Sequence, residues 1–476
     1  MRRIPSPPLT ILALAATALL ACASGVRTAS VALPPGPSND LVIRDVAVID
    51  VETGRRTPAR DVWVRNGRIA AIEPTGSSRL EGARVIDGRG ASLLPGLIDM
   101  HGHVSLGRGP LWALEPGDPE ANLRSFLYAG VTTVFDPSDS TGDAVERRGE
   151  VARRERLGPT IYTAGKMLTC PGGHPVAMTR LFAPGWISWY IAPRMATQVE
   201  SREEAYAAVD ALAARGVDFI KVAVDRLPPQ APRISTATLK AIGDRARKRD
   251  MRWVAHIGTT QDAIDAAEAG ASLWAHGVAQ ERIPEDRIQR LAAFGIPMVV
   301  TIEVADRYIR GLSGPIDPIP MERQTVPPDV LDSFYPPPDG FSLDAFGSLE
   351  GFDSPGTSAD NMMRLRRAGV TILAGSDSQG GGIFPGASLH RELGQLVRAG
   401  LTPGEAIRAA TLDSATFLAD GQPIEFGAVR VGLKADLLLV EGDPTEDVAR
   451  LQDIREVILG GTPIERRSVL APETGS

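Results

Sequence analysis

The chain reads as an α/β protein, a (β/α)8 barrel of the TIM type with a small composite β-sandwich domain built from both termini. Three observations predict this. Short apolar runs alternate with amphipathic helical runs through the middle of the sequence, the pattern of repeated βα units and a parallel sheet. Eight such runs can be counted, the number that closes a barrel. The residues able to bind metals or move protons fall at the carboxyl ends of those runs, where a barrel places its chemistry.

The first residues read as an address. Arg2 and Arg3 precede the apolar stretch Leu9 to Leu20, too short to span a bilayer but suited to a secretory signal core. It ends in Leu19-Leu20-Ala21-Cys22, which resembles a bacterial lipoprotein signal whose cysteine is lipidated and becomes the mature N-terminus. Ala21-Cys22-Ala23 also satisfies the small-residue rule of an ordinary signal peptidase. The lipoprotein reading is favoured because cysteine is otherwise nearly absent, and Ala23 after Cys22 points to sorting to the outer membrane. The protein is therefore expected to be exported to the periplasmic face of a bacterial membrane, touching lipid only through an anchor on Cys22. Residues 23–39, rich in Ser, Pro and Gly, read as a tether.

Residues 40–92 alternate apolar and polar positions in short runs, with turn signals at Asn66-Gly67 and Asp87-Gly88. A matching pattern in Gly427–Val440 and Ile454–Leu459 makes 418–470 the other half of the composite sandwich. Residues 93–417 form the barrel. Its strands are read at Leu97–His101, Val131–Phe135, Thr160–Thr163, Phe219–Val224, Trp253–Ile257, Leu273–His276, Pro297–Ile302 and Val370–Ser376. Helical patterns between them include Arg202–Arg215, Thr236–Lys248, Gln261–Ala269, Glu285–Phe294 and Leu389–Ala399.

Composition supports a large enzyme. Across 476 residues, 43% are hydrophobic and 23% charged, with a net charge of -7, which allows a sizeable core and argues against nucleic acid as a partner. After Cys22 the only thiol is Cys170, so no disulfide framework exists.

Lys221 carries the sharpest signal. It sits inside the apolar run Val217–Val224, in a chain with only five lysines among its 51 basic residues. A buried ammonium is disfavoured by desolvation and tends to lose its proton, which a guanidinium does not do. The position asks for amine chemistry. His101, His103, His256, His276 and Asp377 close other strand-like runs, although the chain has only six histidines. His101 and His103, two apart, project from one face of an extended chain and can share an ion. The set reads as a metal-dependent hydrolase.

The segment Leu94-Pro-Gly-Leu-Ile-Asp-Met-His-Gly-His103, with Gly375-Ser-Asp377 and Gly400-Leu-Thr-Pro-Gly-Glu-Ala-Ile-Arg-Ala-Ala-Thr411, resembles the amidohydrolase superfamily. It is most similar to the imidazolonepropionase-like branch that includes Xaa-Pro dipeptidases, over nearly the whole mature chain. The resemblance implies two divalent ions, usually zinc. His101, His103 and Asp377 would hold one and His256 and His276 the other, bridged by Lys221 after carbamylation by carbon dioxide. It also implies that Asp377 shuttles a proton from the attacking water to the departing nitrogen.

Substrate recognition is less legible. The loop from Lys166 to Gln198 contains Cys170-Pro-Gly-Gly-His174, and because relatives carry a similar Gly-Gly-His, His174 is assigned to the carbonyl or its oxyanion. After Lys221 the chain reads Asp225-Arg-Leu-Pro-Pro, where dipeptidase relatives often present a tyrosine. Arg180, Arg194 or Arg226 would hold a substrate carboxylate instead. His390 reads as structural. The Pro- and Gly-rich segment 305–360, with Phe334, Tyr335, Phe341 and Phe346, reads as a lid, or alternatively as a subunit contact in a homo-oligomer. The function expected is hydrolysis of an amide or peptide C–N bond in a dipeptide or N-acyl amino acid. The alternatives are a cyclic amide, lactone or ester hydrolase using the same centre and, more weakly, a non-catalytic binding lipoprotein.

Overall fold

The computed structural model describes residues 40–77, 82–110, 112–113, 117–182, 185–338, 355–378 and 380–470. The export signal, Cys22 and the tether lie outside the described residues, as do Phe341 and Phe346.

The central strands are β1 (Leu97–Asp99), β2 (Val131–Asp136), β3 (Thr160–Thr163), β4 (Ile220–Ala223), β5 (Trp253–His256), β6 (Leu273–Ala275), β7 (Met298–Val299) and β8 (Ile372–Leu373). All pair in parallel. β1, β2 and β3 form one sheet, and β4 to β8 run in sequence order through a second. Hydrogen bonds also run between the sheets: Met100 N–H donates to Ala374 O at 2.9 Å, and Asp218 N–H donates to Thr163 O at 2.8 Å.

The sequence makes these strands by period-two alternation. Ile98, Phe135, Val254, Leu273, Val299 and Leu373 join Phe219 in one buried cluster. Their neighbours Leu97, Val134, Ala255, Trp274, Met298 and Ile372 belong to another, shared with helical residues such as Leu212, Leu239 and Ile264. Successive side chains on a strand face opposite ways, so one set packs strand to strand and the other strand to helix. The helices over Arg202–Arg215 and Thr236–Lys248 have the extents the sequence predicts. The first is fixed by a capping box of Ser201 and Glu204 and stopped by Gly216 at φ +74°.

Two segments differ from the sequence reading. The Lys166–Gln198 loop is ordered: Met167–Thr169 pairs with β4, Ala196–Gln198 pairs with Met167–Thr169, and helices Val176–Phe182 and Gly185–Met195 lie between. Three-residue strands carry too little alternation to announce themselves. The 305–360 segment begins with helices Ile302–Ser313, Pro320–Thr325 and Pro328–Asp332.

Strands from both ends of the chain share one eight-stranded mixed sheet, in which Leu437–Glu441 pairs antiparallel with Ala91–Pro95. The predicted run from Gly427 is extended only from Leu437, because Gly427 and Gly432 take φ of +89° and +93° and turn the chain first. Cys170 is buried and free. Among the described residues no helix is long and apolar enough to cross a membrane.

Candidate metal centre

The site begins with a carboxylate that joins β1 to β8. Asp99 Oδ1 accepts from His101 N–H at 3.1 Å and Ser376 N–H at 2.9 Å, and Oδ2 accepts from Ser376 Oγ at 2.6 Å. This fixes the strand ends carrying His101, His103 and Asp377. Gly375 permits the approach, since a Cβ there would lie 2.5 Å from Val299 Cγ1 and 2.9 Å from His101 Cβ. His276, Thr301 and Asp377 take φ of +65°, +54° and +52°, conformations costing about 1–3 kcal/mol each that cluster where a surrounding structure holds them for function.

Two groups of ligand-type atoms follow. In the first, Asp377 Oδ1 lies 3.3 Å from His101 Nε2 and 3.1 Å from His103 Nε2, and Asp377 Oδ2 lies 3.8 Å from His276 Nδ1. His276 Nδ1 is 2.8 Å from Thr301 Oγ1, which orients the ring and leaves Nε2 for a cation. In the second, Asp225 Oδ2 lies 3.4 Å from His256 Nε2 and 3.7 Å from His174 Nδ1. The His256 and His276 rings, 4.0 Å apart at their centroids, join the groups. Lys221 is fully buried, its Nζ has no hydrogen-bond partner, and the charges of both Asp377 and Asp225 act on it.

The electrostatics suit cation binding. Burial pulls the Lys221 amine down to about 7. Burial, with the Lys221 charge among the further causes, holds His101, His256 and His276 well below the ordinary histidine value, so they are neutral, the form that ligates metal. Burial also draws His103 down, but Asp136 and Asp377 on either side outweigh it and raise it to about 10. Burial works against Asp377 ionising, yet His103, His276 and Lys221 hold its carboxyl below the usual value. Neutral imidazoles, an ionised carboxylate and orphaned buried atoms at Lys221 Nζ, His174 Nδ1 and Asp225 Oδ1 fit a divalent, zinc-like ion.

His101, His103, His174, Asp225, His256, His276 and Asp377 line a cavity of about 370 Å³ whose remaining wall is largely apolar, with Leu106, Met167, Met178, Ile191, Leu227 and Val304. The three arginines assigned to a substrate carboxylate are elsewhere: Arg180, Arg194 and Arg226 are exposed and none lines the cavity. Just past β4, where the chain bends, Asp225 and Leu227 line the cavity while Arg226 between them is exposed. His390 is buried away from the cavity and its Nε2 lies 2.8 Å from Ala129 O. Three contributors escaped sequence reasoning: Asp136, which lies 3.6 Å behind His103 Nδ1 and accepts from Val104 and Ser138 N–H, Thr301, and Asp225 as a member of the cluster. Only Asp225 left a signal, as an acidic residue just past the strand that carries Lys221.

The amidohydrolase family model matches residues 92–464. The chain belongs to the amidohydrolase family. It is 29% identical over 187 residues to an adenine deaminase of Chelativorans sp. (strain BNC1), a match covering 39% of this chain and 28% of that enzyme. The chain thus spans under a third of that relative's length. Among solved structures it is similar to a Xaa-Pro dipeptidase with bound methionine in the active site, with TM-score 0.71, 22% identity and coverage of 89% of this chain and 99% of that one. It is also similar to phenylurea hydrolase B, with TM-score 0.71, 23% identity and coverage of 90% and 97%. At these identities both likenesses concern the fold.

Proposed function

We propose that the protein is an exported, metal-dependent amidohydrolase that cleaves the C–N bond of an uncharged amide carrying an apolar group. One observation carries the reading: His101, His103, His256, His276 and Asp377 converge, beside the unpartnered Lys221, on one apolar-walled cavity. Two divalent ions, zinc by the character of the donors, would when bound acidify a water and polarise the scissile carbonyl. Asp377, ionised in the cavity, takes the water's proton and delivers it to the departing nitrogen, a role typically worth about 10²–10⁴ in rate. The near-neutral amine of Lys221 can add to carbon dioxide, forming an N–C bond and releasing a proton. The carbamate then gives the buried strand an anionic ligand in place of a cation that would repel the ions.

The architecture supports this reading. The hydrogen bonds joining β1 to β8 and β3 to β4 agree with a closed (β/α)8 barrel over 93–417. The shared terminal sheet agrees with a composite sandwich domain over 40–92 and 418–470.

The wall of the cavity supports one substrate class over another. Among the described lining residues there is no arginine, and the Asp225 carboxylate faces inward, so a free substrate carboxylate finds no guanidinium to anchor it. The missing arginine anchor, with the apolar wall, favours uncharged N-acyl amides, anilides or ureas over the dipeptides and N-acyl amino acids that the arginines would have anchored. Likeness to a Xaa-Pro dipeptidase keeps dipeptides as the second reading. The zinc-loaded mature protein should be assayed on N-acyl anilides and phenylureas, on the same compounds bearing a carboxylate, on Xaa-Pro and other dipeptides, and on lactones and aryl esters. The uncharged amides should turn over with at least tenfold higher kcat/KM than their carboxylated counterparts. Hydrolysis of lactones or esters alone, with every amide untouched, would overturn the amide assignment.

Export rests on the sequence alone. A Cys22→Ala protein should move from the membrane fraction to the soluble periplasm, since acyl chains on that cysteine supply the lipid affinity. Unchanged fractionation would reject the anchor.

A further inference from the structure

We propose that a second chamber beside the metal cavity receives the group carried on the departing nitrogen, so that the substrate is an amide whose amine side bears an uncharged aromatic arm longer than one ring. The proposal rests on the hydrolase reading above and names the leaving group that this reading leaves open.

The chamber has a volume of about 650 Å³, against about 370 Å³ for the metal cavity, and each lies within the roughly 300–1,000 Å³ that small-molecule sites span. Tyr308 lines both. Its helix, Ile302–Ser313, presents Val304, Ala305 and Tyr308 to the metal cavity, positions three and four apart that share one helix face. Arg307, next to Tyr308, lines the second chamber.

Glycines make the partition thin. Gly381 and Gly382 take φ of +64° and +90°, and a Cβ on Gly381 would lie 2.5 Å from Tyr308 Cε1. A side chain there would push the ring aside, so glycine lets the loop after β8 lie against it. That loop begins near Asp377, the group that delivers a proton to the departing nitrogen. The substituent on that nitrogen therefore leaves the metal cavity on the chamber's side.

The wall selects an uncharged aromatic group. Phe334 and Phe384 meet edge to face, with ring centroids 5.6 Å apart and planes at 89°, an arrangement to which a further ring adds favourably. Phe384 is held in place, buried and with its N–H donating to Ser388 Oγ at 2.8 Å. Tyr335 and Leu331 extend the same surface. The buried charge in the wall is already paired, since Arg307 Nη2 donates to Glu322 Oε1 at 2.5 Å.

Acetanilide and its 4-phenyl derivative differ only in the second ring and so test the chamber directly. The zinc-loaded wild type should hydrolyse the longer amide with a kcat/KM about tenfold higher or more, the selectivity an added apolar group brings in a fitted pocket. Leu331→Trp, which fills the chamber, should bring that ratio close to one, and Tyr335→Ala, at an exposed position, should lower it. A ratio near one in the wild type, or one unchanged in both variants, would overturn the chamber and leave the hydrolase reading intact. If neither amide reacts, the reading beneath the proposal falls. A binding measurement needs neither metal nor turnover. By equilibrium dialysis, 4-phenylphenol should bind the metal-free wild type and bind Leu331→Trp about tenfold more weakly, and equal binding to the two proteins would overturn the chamber.

Discussion

Two of the regions in which this molecule buries charge are built on opposite terms. Glu322, on the helix Pro320–Thr325, is completely buried. Its oxygens accept from Arg307 Nη2 at 2.5 Å, Arg391 Nε and Nη2 at 2.6 Å each, and Ile319 N–H at 2.9 Å. Asp225 is nearly as buried, yet its Oδ1 has no partner and its Oδ2 faces two imidazoles beyond hydrogen-bonding range. Burial alone therefore does not mark function. What separates the regions is that chain donors saturate one carboxylate and leave an oxygen of the other without a hydrogen-bond partner beside the proposed metal centre.

The comparison breaks first at the proton shuttle. Asp377→Asn should lower kcat by about 10²–10⁴ in a protein that still folds, as steady-state kinetics and circular dichroism would show. A folded variant with turnover near wild type would remove Asp377 from the chemistry. Lys221→Ala comes next. Turnover should drop by on the order of a hundredfold, the upper end for a disturbed metal environment. Formate or propionate should partly restore it by standing in for the carbamate, and a fully active variant would exclude the bridging role.

The saturated region predicts a loss of stability instead. Glu322→Ala leaves Arg307 and Arg391 buried without their carboxylate and should cost about 3–5 kcal/mol in denaturant unfolding, while zinc content per folded chain stays the same. Zinc lost in step with stability would mean that the two regions are not independent. The smallest effect is at His390, which burial chiefly, with the Arg466 charge, lowers to about 4. The unfolded chain protonates this histidine near 6.5, while the folded one stays neutral until about 4. Its stabilisation is therefore complete above pH 6.5 and lost as pH falls toward 4, on the order of 3 kcal/mol in all. His390→Gln should flatten the fall of stability over that window, and an unchanged slope would place the acid sensitivity elsewhere.

Legibility in the sequence followed the same division. Strand alternation placed Phe135, Val254 and Leu273, and the residues that close the strands, His101, His256, His276 and Asp377, meet in one cavity because parallel strands bring their carboxyl ends to one side. Lys221 was legible as an amine in an apolar run. The grouping of the ligands was not, since which imidazole faces which carboxylate depends on rotations at strand ends, including the left-handed backbone of His276 and Asp377. Asp136 and Thr301 were invisible for the same reason: each acts by touching a histidine far away in sequence. The directions of the three arginines were not legible because a charge in a predicted loop carries no sign of which way it points, and Arg226 is exposed where its neighbours line the cavity.

The central claim is that bound divalent cations in this cavity are what make the protein a hydrolase. Its most direct test is to strip the purified protein with a chelator, count the residual metal, and follow hydrolysis of an N-acyl anilide as zinc is returned. Turnover should be unmeasurable in the metal-free protein, and should return with added zinc and saturate at two equivalents per chain. Undiminished turnover in protein shown to hold no metal would contradict it.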